Sequence, residues 1–205
     1  MDNKALFKLG YGLYILTSQA AGKNHGCVVN TVMQITSSPL QLLVGVNKNN
    51  ATHDALMTSG ICNISVLDDT APFTLFEHFG FQTGKTVDKF ADWSQSKTSA
   101  NGLPYLTEHT NAYLSGKVTS TTDYGTHTLF TVEITDAEIL ADTASLTYAE
   151  YHAKVKPKPA AETTDTKPKG YRCIICGYIY PEDKFPSDDF VCPICKHGII
   201  DFEKL

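Results

Sequence analysis

Six cysteines are spread unevenly along the 205 residues, and four of them fall in the last 35 as two Cys-x-x-Cys pairs. The first pair is Cys173-Ile-Ile-Cys176 and the second is Cys192-Pro-Ile-Cys195, with 15 residues between them. Each Cys-x-x-Cys turn points two thiolates at one place, and two turns together make a tetrahedral sulfur cage. Zinc and a single iron both suit that donor set. A disulfide framework is the other reading of the spacing, and it fits a reducing compartment poorly. Cys27 and Cys62 lie far from these pairs in apolar surroundings and read as buried free thiols.

A second constellation lies in the first quarter of the chain. It consists of two polar turns, Asn30-Thr31-Val32-Met33-Gln34-Ile35-Thr36 and Gly45-Val46-Asn47-Lys48-Asn49-Asn50-Ala51-Thr52-His53. The second turn runs from a strand end into an expected helix, which Asn50 or Thr52 can cap. The exposed N–H groups and the dipole at a helix start make a phosphate seat. Lys48 adds positive charge, and Gln34, Thr36 and Thr52 carry donors suited to phosphate oxygens. A polar loop leading into a well-capped helix is the alternative for this stretch.

These groups need elements to hold them. Strands are predicted over Tyr11–Thr17, Gly26–Ile35, Leu40–Val46, Ile61–Val66, Ala112–Ser120 and Thr126–Ile139, each rich in β-branched and aromatic residues and bounded by turn formers. Helices are predicted over Asn3–Leu9, Thr52–Ser59, Pro72–Phe79 and Leu146–His152. Many strands with few helices, and no βαβ alternation, point to a mainly β fold: an antiparallel barrel or sandwich. Residues 154–170 hold three prolines and five lysines and almost nothing apolar, the composition of an extended, hydrated, flexible linker. The expected organisation is therefore a domain over 1–153, a linker over 154–170 and a small metal domain over 171–205. A domain of some 35 residues is too small to hold a core without a metal staple.

Charge and hydropathy exclude several classes of function. The net charge is −5 and no basic cluster stands out, so nucleic acid is not an expected partner. No apolar run approaches the ~18 residues that span a bilayer. Met1–Gly10 lacks a basic stretch followed by an apolar one, so a cytoplasmic protein is expected.

Around the cysteines the sequence is aromatic, with Tyr171, Tyr178, Tyr180, Phe185, Phe190 and Phe202. Such a shell shields thiolates and helps set a redox potential. Cys-Gly-Tyr-Ile-Tyr, Asp-Asp-Phe-Val-Cys-Pro-Ile-Cys and the terminal Asp-Phe-Glu-Lys-Leu together resemble rubredoxin. That resemblance implies one iron held by Cys173, Cys176, Cys192 and Cys195. The apolar edge Ile174–Ile175 and Pro193–Ile194, with Glu182, Asp183, Asp188 and Asp189 nearby, suits docking to a basic partner; a solvated acidic loop is the other reading.

The N-terminal segments, taken in order, resemble the flavin reductase-like family. They are Asn-His-Gly-Cys-Val-Val-Asn-Thr-Val-Met-Gln-Ile-Thr, Pro-Leu-Gln-Leu-Leu-Val-Gly-Val-Asn-Lys-Asn-Asn-Ala-Thr-His, Cys-Asn-Ile-Ser-Val-Leu, Phe-Gly-Phe-Gln-Thr-Gly-Lys-Thr-Val-Asp-Lys-Phe and Gly-Thr-His-Thr-Leu-Phe. The resemblance covers nearly all of residues 3–153. It implies an FMN-binding split β-barrel, generally a homodimer with the flavin near the subunit boundary. Asn30, Thr31, Val32 and Gly45–Asn47 would then face the isoalloxazine ring. Thr36, Lys48, Asn50 and Thr52 would lie near the phosphate, with Gly84, Lys85 and Thr86 closing over the cofactor. His127 falls where the family places a histidine near the flavin or nicotinamide; a hydrogen-bonded strand histidine is its other reading. Tyr148, Tyr151 and His152 read as packing.

The two halves together resemble the high-molecular-weight rubredoxins of anaerobic bacteria. That implies electrons passing from NAD(P)H through FMN to iron and on to a flavodiiron-type reductase of oxygen or nitric oxide. Flavin accepts two electrons and releases them singly, which matches a two-electron donor to one-electron iron. Two other readings stay open at this point: a carrier with no NAD(P)H activity of its own, and an FMN module with a structural zinc ribbon.

Overall fold

The computed structural model describes residues 5, 8–157, 170–174, 178–182, 184–185, 187, 189–192 and 198–205. The predicted helix over Asn3–Leu9 lies largely outside these residues. The chain divides into two compact units, Met1–Lys156 and Pro157–Leu205.

The first unit is built on one antiparallel sheet of seven strands. They are β1 (Tyr14–Ala20), β2 (Lys23–Val29), β3 (Val32–Ser37), β4 (Leu40–Asn47), β5 (Ile61–Leu67), β8 (Thr110–Asp123) and β9 (His127–Ile139), in the order β2-β1-β5-β8-β9-β4-β3. β6 (Ser96–Thr98) and β7 (Pro104–Leu106) form a separate ribbon. They are short and mixed in composition, and the sequence pattern does not show them.

The expected single strand over Gly26–Ile35 is two strands. β2 pairs with β1 and β3 pairs with β4, so consecutive strands occupy opposite edges of the sheet with only Asn30 and Thr31 between them. The three Cα–Cα steps from Val29 to Val32 span at most ~11 Å. The sheet must therefore curl until its edges meet at Asn30–Thr31, which makes it a split barrel.

The core says the same. Cys27 and Val29 of β2 share one buried cluster with Leu42, Val44 and Val46 of β4, from the far side of the sheet. Leu16, Ile64, Phe130 and Val132 complete that interior, and Leu56 of α1 (Ala51–Ser59) plugs it. Side chains alternate across a strand, so the neighbours face the other way: Ile15 and Leu67 pack outside the barrel against Leu75, Phe76 and Phe79. Those residues come from α2 (Phe73–Phe76) and the π turn Glu77–Phe81 that prolongs it.

The last helix of this unit, α3 (Tyr148–Glu150), opens on a capping box in which Thr147 and Glu150 satisfy each other's backbone, and it continues as a π turn over Tyr151–Val155. Tyr151 is buried against Phe76, with ring centroids 4.4 Å apart, which is the packing role expected for it.

The second unit has a three-stranded sheet in the order β11-β10-β12, from β10 (Tyr171–Cys173), β11 (Ile179–Tyr180) and β12 (Phe202–Lys204). Gly170 opens it at φ +116, where an added Cβ would lie 2.1 Å from the Tyr180 carbonyl oxygen. Among the described residues no helix is long and apolar enough to cross a membrane.

Candidate functional site

The end of β4 brings most of the expected flavin-binding residues to one rim of the barrel. Gly45 donates its N–H to the Thr31 carbonyl at 2.9 Å, and its missing side chain leaves room for Thr31, which an added Cβ would approach to 3.0 Å. Asn30–Val32 and Gly45–Asn47 therefore share the seam where the barrel edges meet. Asn47 pairs with His127 across β4 and β9. The Asn47 side chain accepts the Asn49 N–H at 2.8 Å and shapes the turn into α1. His127 is exposed at this rim, with Nδ1 2.9 Å from Thr126 Oγ1.

At the start of α1, Asn50 stands at the cap position but makes no side-chain cap bond. A helix of this length presents its first N–H groups outward. The buried Cys27 thiol lies beneath this turn; burial pushes its pKa up, with Thr52 and Asn50 opposing. Across from Ala51 stands Gly84, where an added Cβ would come within 3.3 Å of the Ala51 Cβ and 3.5 Å of His25 Nδ1. That His25 nitrogen is buried and has no hydrogen-bond partner among the described residues. Burial lowers the His25 pKa, with Lys23 acting in the same direction.

An orphaned imidazole nitrogen, an uncapped helix start and a glycine at close approach fit the phosphate end of a flavin mononucleotide. Of the sequence-expected groups, Asn50, Thr52 and Gly84 converge here, with the exposed Lys85 and Thr86 following Gly84.

Two of the expected groups stand apart, and one cation is engaged elsewhere. Thr36 pairs with Gln41 at the opposite end of β4 from Asn47. Six residues of strand separate those ends by roughly 20 Å. The chain therefore does not bring Thr36, or Gln34 beside it, to the start of α1. Gln34 donates to the Thr36 carbonyl at 3.4 Å. The Lys48 ammonium is bound to Asp123 at 2.5 Å, which draws the Asp123 pKa down.

Three residues to which the sequence pattern gave no role are also placed by the fold. His25 sits beside Gly26. His53 is buried, with Nε2 2.9 Å from Thr128 Oγ1 and Nδ1 2.9 Å from the Asp54 carboxylate. Lys89 is buried within the Gly-Lys-Thr-Val-Asp-Lys-Phe run. A lysine in a polar loop reads as solvated, and no local pattern marks its burial.

In the second unit the structure describes two of the four expected metal ligands. Cys173 and Cys192 are both fully buried, whereas Cys176 and Cys195 lie outside the described residues. The Cys173 N–H donates to the Tyr178 carbonyl at 2.8 Å, and Ile174 donates to Asp201 at 2.8 Å. Tyr171, Tyr180, Phe185, Phe190 and Phe202 form one ring cluster, with Phe185 4.4 Å from Tyr171, 5.2 Å from Phe190 and 5.2 Å from Phe202. Buried thiol donors and an aromatic shell fit a thiolate-bound iron. Of the expected docking edge, Ile174, Glu182 and Asp189 are exposed. Ile175, Asp183, Asp188, Pro193 and Ile194 lie outside the described residues.

The comparisons follow the same division. Residues 6–155 match the flavin reductase like domain, and residues 171–203 match the rubrerythrin, rubredoxin-like domain. The chain is 39% identical to the high molecular weight rubredoxin of Moorella thermoacetica, covering 100% of both chains. It is 43% identical to the ferric-chelate reductase (NAD(P)H) of Archaeoglobus fulgidus, over 80% of this chain and 96% of that one. The NADH:FAD oxidoreductase SgcE6 of Streptomyces globisporus shares the barrel fold at a TM-score of 0.64 and 19% identity, covering 71% of this chain and 85% of that one. The chain belongs to the flavin reductase-like family and carries a rubredoxin-like domain at its C-terminus.

Proposed function

We propose that this protein is an electron-transfer oxidoreductase that takes electrons from NAD(P)H through FMN to an iron bound by four cysteines. The observation that carries the reading is the union, in one chain, of a flavin reductase-like barrel and a rubredoxin-like metal knuckle. The flavin, when bound, supplies the step from a two-electron donor to one-electron iron.

The chain's own residues bind and orient. The uncapped start of α1, with Asn50, Thr52, His25 and Gly84, takes the phosphate. The seam of Asn30, Thr31, Val32 and Gly45–Asn47 lines the ring, and Gly84, Lys85 and Thr86 close over it. His127, exposed at the rim opposite Asn47, orients the nicotinamide. No side chain need act as acid or base for electron transfer itself. Cys173, Cys176, Cys192 and Cys195 hold the iron, and residues 154–170 tether the two domains.

The barrel forms a homodimer in this reading. β3 is an edge strand, and Met33, Ile35 and Leu40 are exposed on the β3–β4 hairpin, an apolar edge that a second copy would cover. The acceptor beyond iron is a flavodiiron-type reductase of oxygen or nitric oxide, on the resemblance of the fused pattern.

Anaerobic visible spectra before and after NADH or NADPH test the scheme. Flavin and ferric-thiolate bands that both bleach are expected. Bands that persist until a separate reductase is added would remove the NAD(P)H activity. A zinc-loaded, colourless knuckle would remove the iron. A purified flavodiiron protein that fails to reoxidise the bleached centre would remove the acceptor.

A further inference from the structure

Lys89 is 4% exposed, yet among the described residues no carboxylate pairs with it. Its ammonium donates to two main-chain carbonyls, Phe79 at 2.7 Å and Gly26 at 3.0 Å. Two neutral acceptors do not offset the desolvation of a charge. Burial accordingly lowers its pKa, with the Cys27 sulfur opposing. A methionine would fill similar space without that cost, so packing alone does not account for an ammonium at this position.

Its surroundings point to a use. Lys89 ties three pieces together: its own loop, the π turn at Phe79, and β2 at Gly26. The His78 ring, through Nε2, donates to the Lys89 carbonyl at 2.7 Å and locks the same junction from the main-chain side. Gly26 permits the approach, since an added Cβ would meet the Phe79 and Phe90 rings at 3.0 Å. The residues flanking Gly26 are those that face the start of α1. Gly84 faces both His25 Nδ1 and Ala51, and Thr52 and Asn50 oppose the rise that burial imposes on the Cys27 pKa. Lys48, the cation expected there, is engaged by Asp123.

We propose that Lys89 is a positioning residue for the flavin phosphate: its buried ammonium holds the 83–88 loop and the His25–Cys27 stretch of β2 at the start of α1, and its charge complements the dianion seated there. This rests on the flavin-binding reading above. A role confined to stability would treat flavins with and without a phosphate alike.

The test is titration of the full chain and its Lys89→Met and Lys89→Arg variants with FMN and with riboflavin, followed by flavin fluorescence. Lys89→Met is expected to weaken FMN about tenfold, or about 1.4 kcal/mol, and riboflavin by less than about twofold. Lys89→Arg is expected to keep the FMN-to-riboflavin ratio within about threefold of the parent, because the charge is retained. Equal losses for both flavins, or no loss for either, would overturn the proposal. If Lys89→Met does not fold by circular dichroism, Lys89→Gln, which still donates one hydrogen bond, is read by the same ratio; an unchanged ratio there overturns it. A parent chain that binds neither flavin would instead overturn the flavin reading itself.

Discussion

The barrel unit and the C-terminal unit bury their interiors by different means. The barrel has two apolar clusters, one on each face of its sheet, filled by Leu, Ile, Val and Phe side chains from strands distant in sequence. Most of its expected ligand groups sit at one rim, outside that core. The C-terminal unit has strands of two or three residues, a stack of five aromatic rings, and two fully buried cysteines. In the first unit a cofactor is a guest of a finished fold. In the second a bound metal would serve in place of a large core, because so few residues cannot bury enough apolar surface.

The largest expected effect tests the C-terminal side of that contrast. Cys173→Ser or Cys192→Ser should abolish a red, dithionite-bleachable chromophore and unfold the small unit, since structural metal binding is worth on the order of 10 kcal/mol. The barrel's melting transition should stay in place. A variant that keeps a native-like small unit without metal would show that the ring cluster suffices as a core.

Phe130→Ala probes the other side. Phe130 is fully buried inside the barrel and packs edge-on to His53 at 5.7 Å. Truncation should cost about 3–5 kcal/mol in denaturant unfolding of the barrel and leave the iron absorbance unchanged. Loss of both signals together would mean that the units do not fold independently.

The smallest effect is in acid. Burial lowers the pKa of His25 and of His152, and each has a buried ring nitrogen without a hydrogen-bond partner among the described residues. The unfolded chain therefore binds more protons than the folded one between the folded and unfolded pKa values, and stability falls as pH drops through that window. Melting temperatures of the barrel should decline from about pH 7 to about pH 5. Replacing both histidines by glutamine should flatten that limb. An unchanged slope would mean that neither nitrogen is desolvated in solution.

Much of this was legible along the chain. The Cys-x-x-Cys spacing and the aromatic shell mark a metal knuckle because metal ligation is a local pattern, carried by turns of four residues. The β4 strand and the start of α1 were legible for the same reason: hydrophobic alternation followed by a polar cap is local. The break at Asn30–Thr31 was not, because Val28, Val29 and Val32 continue a β-rich run. Only the pairing partners, β1 on one side and β4 on the other, divide it.

The composition and order of the chain were enough to give a mainly β fold with a rubredoxin-like segment after it and to point to a four-sulfur site, since each depends on residue type and short-range spacing. Which polar groups share a site required the folded chain. The β3–β4 pairing joins Thr31 to Gly45 and leaves Thr36 a strand's length away, and the folded chain sets His25 beside Gly84. It also buries Lys89 and hands Lys48 to Asp123. Contacts across 14 to 75 positions of sequence follow from which strands pair and in what register, and no window of residues contains that pairing.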